Sequence, residues 1–261
     1  MIARMKVVIL CGGLGTRLRE ETEYRPKPMV PVGDRPILWH IMKHYATHGH
    51  KEFILCLGYK GEIIKNYFLN YHANTSDVTL KLGANPQISY LNHHDEEDWT
   101  VTLVDTGGTT MTGGRLKRVL HLIPDDEFFL TYGDGVSDVN LTELLAFHRE
   151  KKAAVTLTAV RPTGRFGELS LEEGFVANFR EKPADAQSYI NGGFFVMNKT
   201  VGGHLTGDDC VLEFDPLQAL SKQGRLAAHT HEGFWQCMDN IREVALLNEL
   251  WNSGRAPWKT W

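Results

Sequence analysis

The chain has 261 residues, 42% of them hydrophobic and 23% charged, the make-up of an ordinary globular protein. That length permits one or two compact units with a substantial core, and the composition excludes a disordered, collagenous or coiled-coil chain. Lys and Arg number 28 against 32 Asp and Glu, a net charge of −4, which argues against nucleic acid binding through bulk charge while leaving room for a local basic pocket.

Strand and helix signals alternate through the first half. A β-rich apolar run over 6–11 ends in a glycine-rich loop. Ile37, Leu38, Ile41, Met42 and Tyr45 then share one face of a helix over 37–47, with Pro36 suited to its first turn. Strands follow over 52–57, 100–104 and 128–132, interleaved with helices over 62–71 and 115–122, and a helix over 141–151 comes after the last strand. Strands separated by helices imply parallel pairing and an α/β, doubly wound, mostly parallel sheet. Past residue 152 the pattern shifts to short strands over 155–160, 167–171, 176–179 and 192–197. A helix over 217–222, a strand over 225–229 and a helix over 241–251 follow, so a small β-rich half is added to one continuous unit.

Cys11, Cys56, Cys210 and Cys237 lie far apart with no C-x-x-C pair, which fits a reducing cytoplasm. Cys11 and Cys56 sit at buried strand ends, and Asp208 and Asp209 beside Cys210 discourage a thiolate. The apolar run over 7–11 is far shorter than the ~20 residues that span a bilayer, so no membrane segment is expected. His40, His44 and His48 recur every four residues beside the apolar stripe and read as a solvated flank rather than a metal site. The polar segment 74–98, with His93-His94-Asp95-Glu96-Glu97-Asp98, reads as a solvated loop or insertion rather than a metal site, because no helix or strand fixes a ligand spacing there.

The first strand feeds Gly12-Gly13-Leu14-Gly15-Thr16-Arg17, at the place where an open α/β sheet presents its ligand crevice. Three glycines let backbone N–H groups approach phosphate, and Arg17 can add a charge-assisted fork; the same loop also suits mere packing. A dinucleotide fingerprint fails because Leu18 stands where Gly or Ala is needed, and a P-loop fails for want of Gly-Lys-Ser/Thr. Prolines 26, 28 and 31 hold the next segment extended, so Lys27 projects at a fixed angle or merely decorates a rigid connector. Asp134, in Tyr132-Gly133-Asp134-Gly135-Val136 at the carboxyl edge of the sheet, is placed to hold Mg²⁺ or to form an Asx-turn.

The G-G-x-G-T-R-L loop, now read as Gly12-Gly13-Leu14-Gly15-Thr16-Arg17-Leu18, followed by Pro26-Lys27-Pro28-Met29, resembles the sugar-phosphate nucleotidyltransferases, and the resemblance runs over essentially the whole chain. It extends to Val104-Asp105-Thr106-Gly107, Met111-Thr112-Gly113-Gly114-Arg115 and Ala256-Pro257-Trp258-Lys259-Thr260-Trp261. The resemblance implies a Rossmann-like nucleotidyltransferase fold whose 1–152 half holds the nucleotide and whose 153–261 half holds the sugar phosphate. It implies that Leu10, Cys11, Gly12, Gly13, Leu14, Gly15, Thr16, Arg17, Lys27 and Gly133 bind the nucleoside triphosphate, and that Thr112, Gly113, Gly114 and Arg115 flank base and ribose. Asp134 and Asp239 would hold Mg²⁺, although Asp239 also suits a plain N-cap for the helix after it.

By the same resemblance Lys182 pairs with the sugar phosphate, Glu181 accepts sugar hydroxyls, and Gly167, Asn191 and Gly192 line the sugar; hairpin turns with surface charges are the plainer reading. The stretches quoted point within the family to CTP and glucose 1-phosphate as substrates and CDP-glucose as product. The same reaction with another base or sugar, and a silent sugar-nucleotide-binding subunit, stand as alternatives. A cytosine edge could be read by backbone groups at glycines 12, 13, 113 and 114. A homo-oligomer and a downstream CDP-glucose dehydratase complete the expected setting.

Overall fold

The structure is a computed structural model that describes residues 4–91, 96, 98–161, 168–172, 175–180 and 189–261. Its centre is a mixed sheet. Strands β1 (Lys6–Leu10), β2 (Glu52–Leu57), β3 (Thr100–Asp105), β4 (Glu127–Tyr132), β5 (Val155–Val160), β6 (Ile190–Asn191), β7 (Phe195–Asn198) and β8 (Leu226–His231) lie in the order β3-β2-β1-β4-β7-β5-β8. β6 continues β7 along the same edge of β5 after the break at Gly192-Gly193-Phe194, and these two are antiparallel to their neighbours. Every other pairing is parallel. The doubly wound, mostly parallel sheet expected from the alternating pattern is therefore present.

Parallel strands covered on both faces read as continuous apolar runs, and β1 shows it: Val7, Val8, Ile9 and Leu10 are all buried. Alternate residues feed different layers. Val7 and Ile9 join a core with helices α1 (Ile37–Thr47), α2 (Gly61–Leu69) and α4 (Leu141–Lys151), and also α6 (Ile241–Asn252). Val8 and Leu10 join a second core with α3 (Thr112–Val119) and α5 (Asp215–Lys222) on the opposite face. Four element spans expected from pattern alone, 37–47, 52–57, 141–151 and 155–160, have the same bounds in the structure.

Other expectations shift for local reasons. The segment after Pro26 is one 3-10 turn, Lys27–Met29, closed by Met29 N–H donating to the Pro26 carbonyl at 2.8 Å; proline's fixed φ suits that turn as well as an extended chain. Pro36 is the N-cap of α1 rather than a residue of its first turn. The helix over 62–71 divides at Asn70. His40 and His44 are not a solvated flank but fully buried. His40 Nε2 sits 2.9 Å from the Val32 carbonyl with Trp39 and Trp251 edge-on to its ring, and His44 Nε2 sits 2.9 Å from the Val139 carbonyl. The segment 74–98 is largely a solvated insertion, with structure of its own. It carries an exposed hairpin, Val78–Lys81 with Gln87–Tyr90, and then Glu96, which is buried and accepts from Lys43 and from the Tyr71 hydroxyl. His93, His94, Asp95 and Glu97 lie outside the described residues. All four cysteines are free thiols, and no helix among the described residues is long and apolar enough to cross a membrane.

Candidate active site

The carboxyl ends of β1 and β4 and the loop after β3 meet at a cavity of about 570 Å³, within the range of small-molecule sites. Its walls include Leu10, Cys11, the whole stretch from Gly12 to Arg17, Lys27, Thr112, Arg115, Gly133 and Asp134, all expected from sequence. They also include Pro28, Tyr132 and the stretch from Gly108 to Met111, which pattern reasoning left out. The Gly107-Gly108 pair after β3 was the signal for that last stretch, since it repeats the strand-then-glycine arrangement of the first loop.

The glycine loop is shaped from below. Arg115 lies under it, buried, and donates to the carbonyls of Gly12 at 3.0 Å and Leu57 at 2.9 Å and to Thr106 Oγ1 at 2.8 Å. One side chain of α3 thus ties the ends of three parallel strands. The slot requires glycine, because a Cβ on Gly12 would fall 2.0 Å from Arg115 Nη1 and one on Gly58 2.5 Å from the same atom. Burial depresses the guanidinium's pKa, and Cys56, Cys11 and Asp105 oppose that shift. Above it, the N–H groups of Gly12, Gly13 and Leu14 take no partner among the described residues, and a Cβ on Gly13 would meet nothing within 4 Å. Gly15 is left-handed at φ 64° and opens the Thr16–Leu18 turn that carries Arg17 outward. Cys11 lines the cavity, but burial first, then Cys56 and Asp134, push its thiol far above the usual range, so it supplies no thiolate.

Gly113 and Gly114 serve packing. Both N–H groups donate to the Cys210 carbonyl, at 2.9 and 3.2 Å, and a Cβ would strike Cys210 Sγ at 2.6 Å from Gly113 or the Asp208 backbone at 2.8 Å from Gly114. Their amide protons are therefore committed to the chain itself. Gly133 likewise donates to the Leu10 carbonyl at 3.1 Å.

Asp134 and Asp239 come from opposite arms of one short antiparallel ribbon, Gly135–Ser137 with Trp235–Cys237. Met238 N–H donates to the Asp134 carbonyl at 2.8 Å and brings the two acids level. Asp239 is not the N-cap. Asn240 fills that role in a capping box with Glu243, which leaves the Asp239 carboxylate to pair with Lys27 and Arg17 of the cavity wall, although Asp239 is not itself one of the wall residues. Lys27 Nζ donates to Asp134 Oδ2 at 2.7 Å and Asp239 Oδ1 at 2.5 Å, and Arg17 Nη1 donates to Asp239 Oδ2 at 2.7 Å. Burial works against the Lys27 ammonium, but Asp134 and Asp239 outweigh it and raise its pKa. Burial likewise pushes Asp239 up, and Lys27 and Arg17 more than reverse that, holding it below the usual carboxylate value. Both groups are charged at neutral pH.

Two carboxylates converging on one point suit a hard divalent cation that takes one or two protein carboxylates and keeps its waters. Cys237 and Glu243 also bring ligand atoms near Asp239, all within 4.8 Å. Glu243, however, accepts from the Asp239 and Asn240 N–H groups, and a thiol is a poor partner for Mg²⁺.

A further carboxylate was missed. Glu213 accepts from Thr112 Oγ1 at 2.7 Å and from the Tyr132 hydroxyl at 2.5 Å, and Asn191 Nδ2 reaches that hydroxyl at 3.3 Å. Asn191 Oδ1 also accepts from Gly193 N–H, and the Gly192 carbonyl accepts from the Trp235 indole, so both residues adjoin the ribbon and the last residue of β4. Gly167, Glu181 and Lys182 lie outside the described residues.

The family model for nucleotidyl transferases matches residues 6–210. The glucose-1-phosphate cytidylyltransferase of Salmonella typhi is 53% identical over 258 residues, covering 98% of this chain and all of that one. The probable glucose-1-phosphate cytidylyltransferase of Bacillus subtilis (strain 168) is 43% identical over the same shares of both chains. Among solved structures, a UDP-glucose pyrophosphorylase complexed with UDP-glucose superposes with a TM-score of 0.68 at 16% identity, covering 97% of this chain and all of that one, a likeness of fold. The glycine loop, the lysine behind it and the paired acids thus stand in a chain that belongs to the nucleotidyl transferase family.

Proposed function

We propose that this chain transfers the cytidylyl group of CTP to α-D-glucose 1-phosphate, giving CDP-glucose and pyrophosphate. The observation that carries the reading is the meeting of Arg17, Lys27, Asp134 and Asp239 at the mouth of a cavity walled by the glycine loop. The full-length identity to cytidylyltransferases chooses the base and the sugar.

The chemistry asks little of a base. A phosphate monoester, with a second pKa near ~6, is already largely dianionic at neutral pH and serves as the nucleophile. Its oxygen attacks the α-phosphorus in line with the departing pyrophosphate, so catalysis is positioning together with compensation of the charge that builds on the leaving group. The unpartnered N–H groups of the glycine loop would cradle the triphosphate, while Arg17 and Lys27 supply cations at fixed positions. Asp134 and Asp239 would hold Mg²⁺, which when bound offsets triphosphate charge.

Lys182 would anchor the phosphate of the nucleophile, and Glu181, Asn191, Gly192 and Gly167 the sugar, dividing the work between a 1–152 half and a 153–261 half. A cytoplasmic homo-oligomer that passes its product to a CDP-glucose dehydratase is the setting this reading carries with it.

Cytosine presents an N4–H₂ donor and an N3 acceptor where uracil presents the reverse, so a site built for one leaves buried groups unpaired with the other. Initial rates of pyrophosphate release with CTP, UTP and dTTP at saturating glucose 1-phosphate test the assignment. CTP should lead by at least about tenfold in kcat/KM. An equal or greater value for UTP or dTTP removes the cytidylyl assignment and leaves the broader transfer reaction standing.

A further inference from the structure

The ribbon that carries Asp134 and Asp239 has only three residues in each arm and, among the described residues, pairs with no third strand. A two-stranded ribbon of that length is marginal by itself, so its geometry depends on what holds its ends. At one end stand the two acids. At the other, the turn after β8 brings together Ser137, Asp138, His231 and the Phe234 carbonyl.

The Phe234 carbonyl oxygen collects the groups there. Ser137 Oγ donates to it at 2.8 Å, Asp138 N–H donates to it at 3.2 Å, and His231 Nε2 lies 3.2 Å away. The same His231 nitrogen is 3.2 Å from Ser137 Oγ and 2.9 Å from Asp138 Oδ1. That last pair is close without being an aligned hydrogen bond, and among the described residues no other donor serves the buried Asp138 oxygen. Val139 N–H donates to Ser137 Oγ, which ties the group to the start of the segment leading into α4. Gly233 allows the closeness, for a Cβ there would lie 2.6 Å from Asp138 Oδ1 and 2.7 Å from His231 Cε1. None of these residues lines the cavity. Their bonds act on the ribbon's backbone rather than on substrate.

We propose that His231, acting with Ser137 and Asp138, is a positioning residue for the metal-binding carboxylates. By bridging the Phe234 carbonyl and the Asp138 side chain, it holds the two arms in the register that sets Asp134 and Asp239 on a common point. Without the imidazole, Asp138 Oδ1 loses its one close partner, the turn over 231–234 loosens, and the acids at the far end lose their mutual alignment while keeping their charge. The inference rests on Asp134 and Asp239 being the metal pair.

The test is Mn²⁺ binding, followed by the EPR signal of the free ion, to enzyme with CTP and no sugar phosphate, so that no turnover intervenes. His231→Ala should raise the apparent Mn²⁺ dissociation constant about tenfold, the low end of what residues supporting a metal ligand contribute. Ser137→Ala should raise it by a smaller factor. His231→Gln, whose amide can donate to the same carbonyl, should recover most of the affinity, a rescue that general loss of packing would not produce. If His231→Ala does not fold, the Ser137→Ala and His231→Gln pair carries the same comparison. Affinities within twofold of wild type in the His231 and Ser137 variants, with Asp239→Asn strongly weakened, would overturn the positioning role and spare the metal assignment. Wild-type affinity in Asp134→Asn and Asp239→Asn as well would overturn both.

Discussion

The floor of the glycine loop and the carboxylate ribbon bring charge to the same cavity, yet they use it differently. Arg115 directs its donors at carbonyls and a hydroxyl of the protein itself, so in this structure its charge is spent within the chain. Lys27 and Arg17 instead pair with two carboxylates at the cavity mouth, and Arg17 keeps 75% of its side-chain surface. A triphosphate and a divalent cation can take over those partners without breaking any strand. A buried cation answered by backbone makes a scaffold, and a cation answered by acids at a mouth makes a site that can exchange partners.

The difference is broken most directly at the ribbon. Asp239→Asn and Asp134→Asn keep the side-chain shape and remove the charge, and turnover at limiting Mg²⁺ should fall at least about a hundredfold with an unchanged circular dichroism spectrum. Near wild-type rates would strike that residue from the metal pair. At the floor, Arg115→Met takes the guanidinium from the Gly12 and Leu57 carbonyls, which keep the Tyr59 N–H and the Thr106 N–H and hydroxyl respectively, and the loss of its charge-assisted bonds should lower stability by roughly 2 to 3 kcal/mol, read as a shift of the urea midpoint. An unmoved midpoint together with lost CTP binding would mean that Arg115 meets the nucleotide after all.

Lys182→Ala sharpens the division between the halves. It should lower kcat/KM for glucose 1-phosphate by about one to two decades, the worth of one charge-assisted phosphate contact at about 1.5 to 3 kcal/mol, with CTP binding nearly unchanged. A CTP defect of equal size would overturn that division.

The smallest effect belongs to the scaffold alone. Burial depresses His40, His44 and His50 to about 4, so each is neutral in the fold while the unfolded chain protonates it near 6.5. Their stabilisation is fully present above the unfolded value and is lost as pH falls from about 6.5 towards about 4. Each should remove roughly 1 kcal/mol between pH 7 and 5.5. Urea unfolding at several pH values measures the slope, and His50→Gln should flatten it; an unaltered slope would assign the acid sensitivity elsewhere.

Pattern reasoning reached features that depend on neighbours in sequence. The loop from Gly12 to Arg17 and the matched spans 37–47 and 52–57 are set by local spacing and periodicity, which a single chain displays. It did not reach features that depend on distant surfaces. His40 looks like a flank residue until Trp251 and Trp258 return from the far end of the chain to cover it. Nor does the local sequence show that residues 207–210 press against Gly113 and Gly114. Glu213 carries no local signature at all, because its meaning comes from Thr112 and Tyr132, which belong to other elements. Asp239 was found by family pattern, whereas its release from capping duty follows from Asn240 taking the cap.

The ribbon also bears on how the protein gains activity as it folds. Its bonds join Ser137 to Phe234, 97 positions apart, and Lys27 to Asp239, 212 positions apart. Closing such long loops carries an entropic cost that local helices and the neighbouring β1 and β2 strands largely avoid, and contacts of this range slow folding. The two acids should therefore come together after the locally closed elements, the helices and the β1–β2 pair, have formed. In a refolding experiment, far-ultraviolet circular dichroism would recover ahead of turnover, and the catalytic signal would time the last closure of the chain.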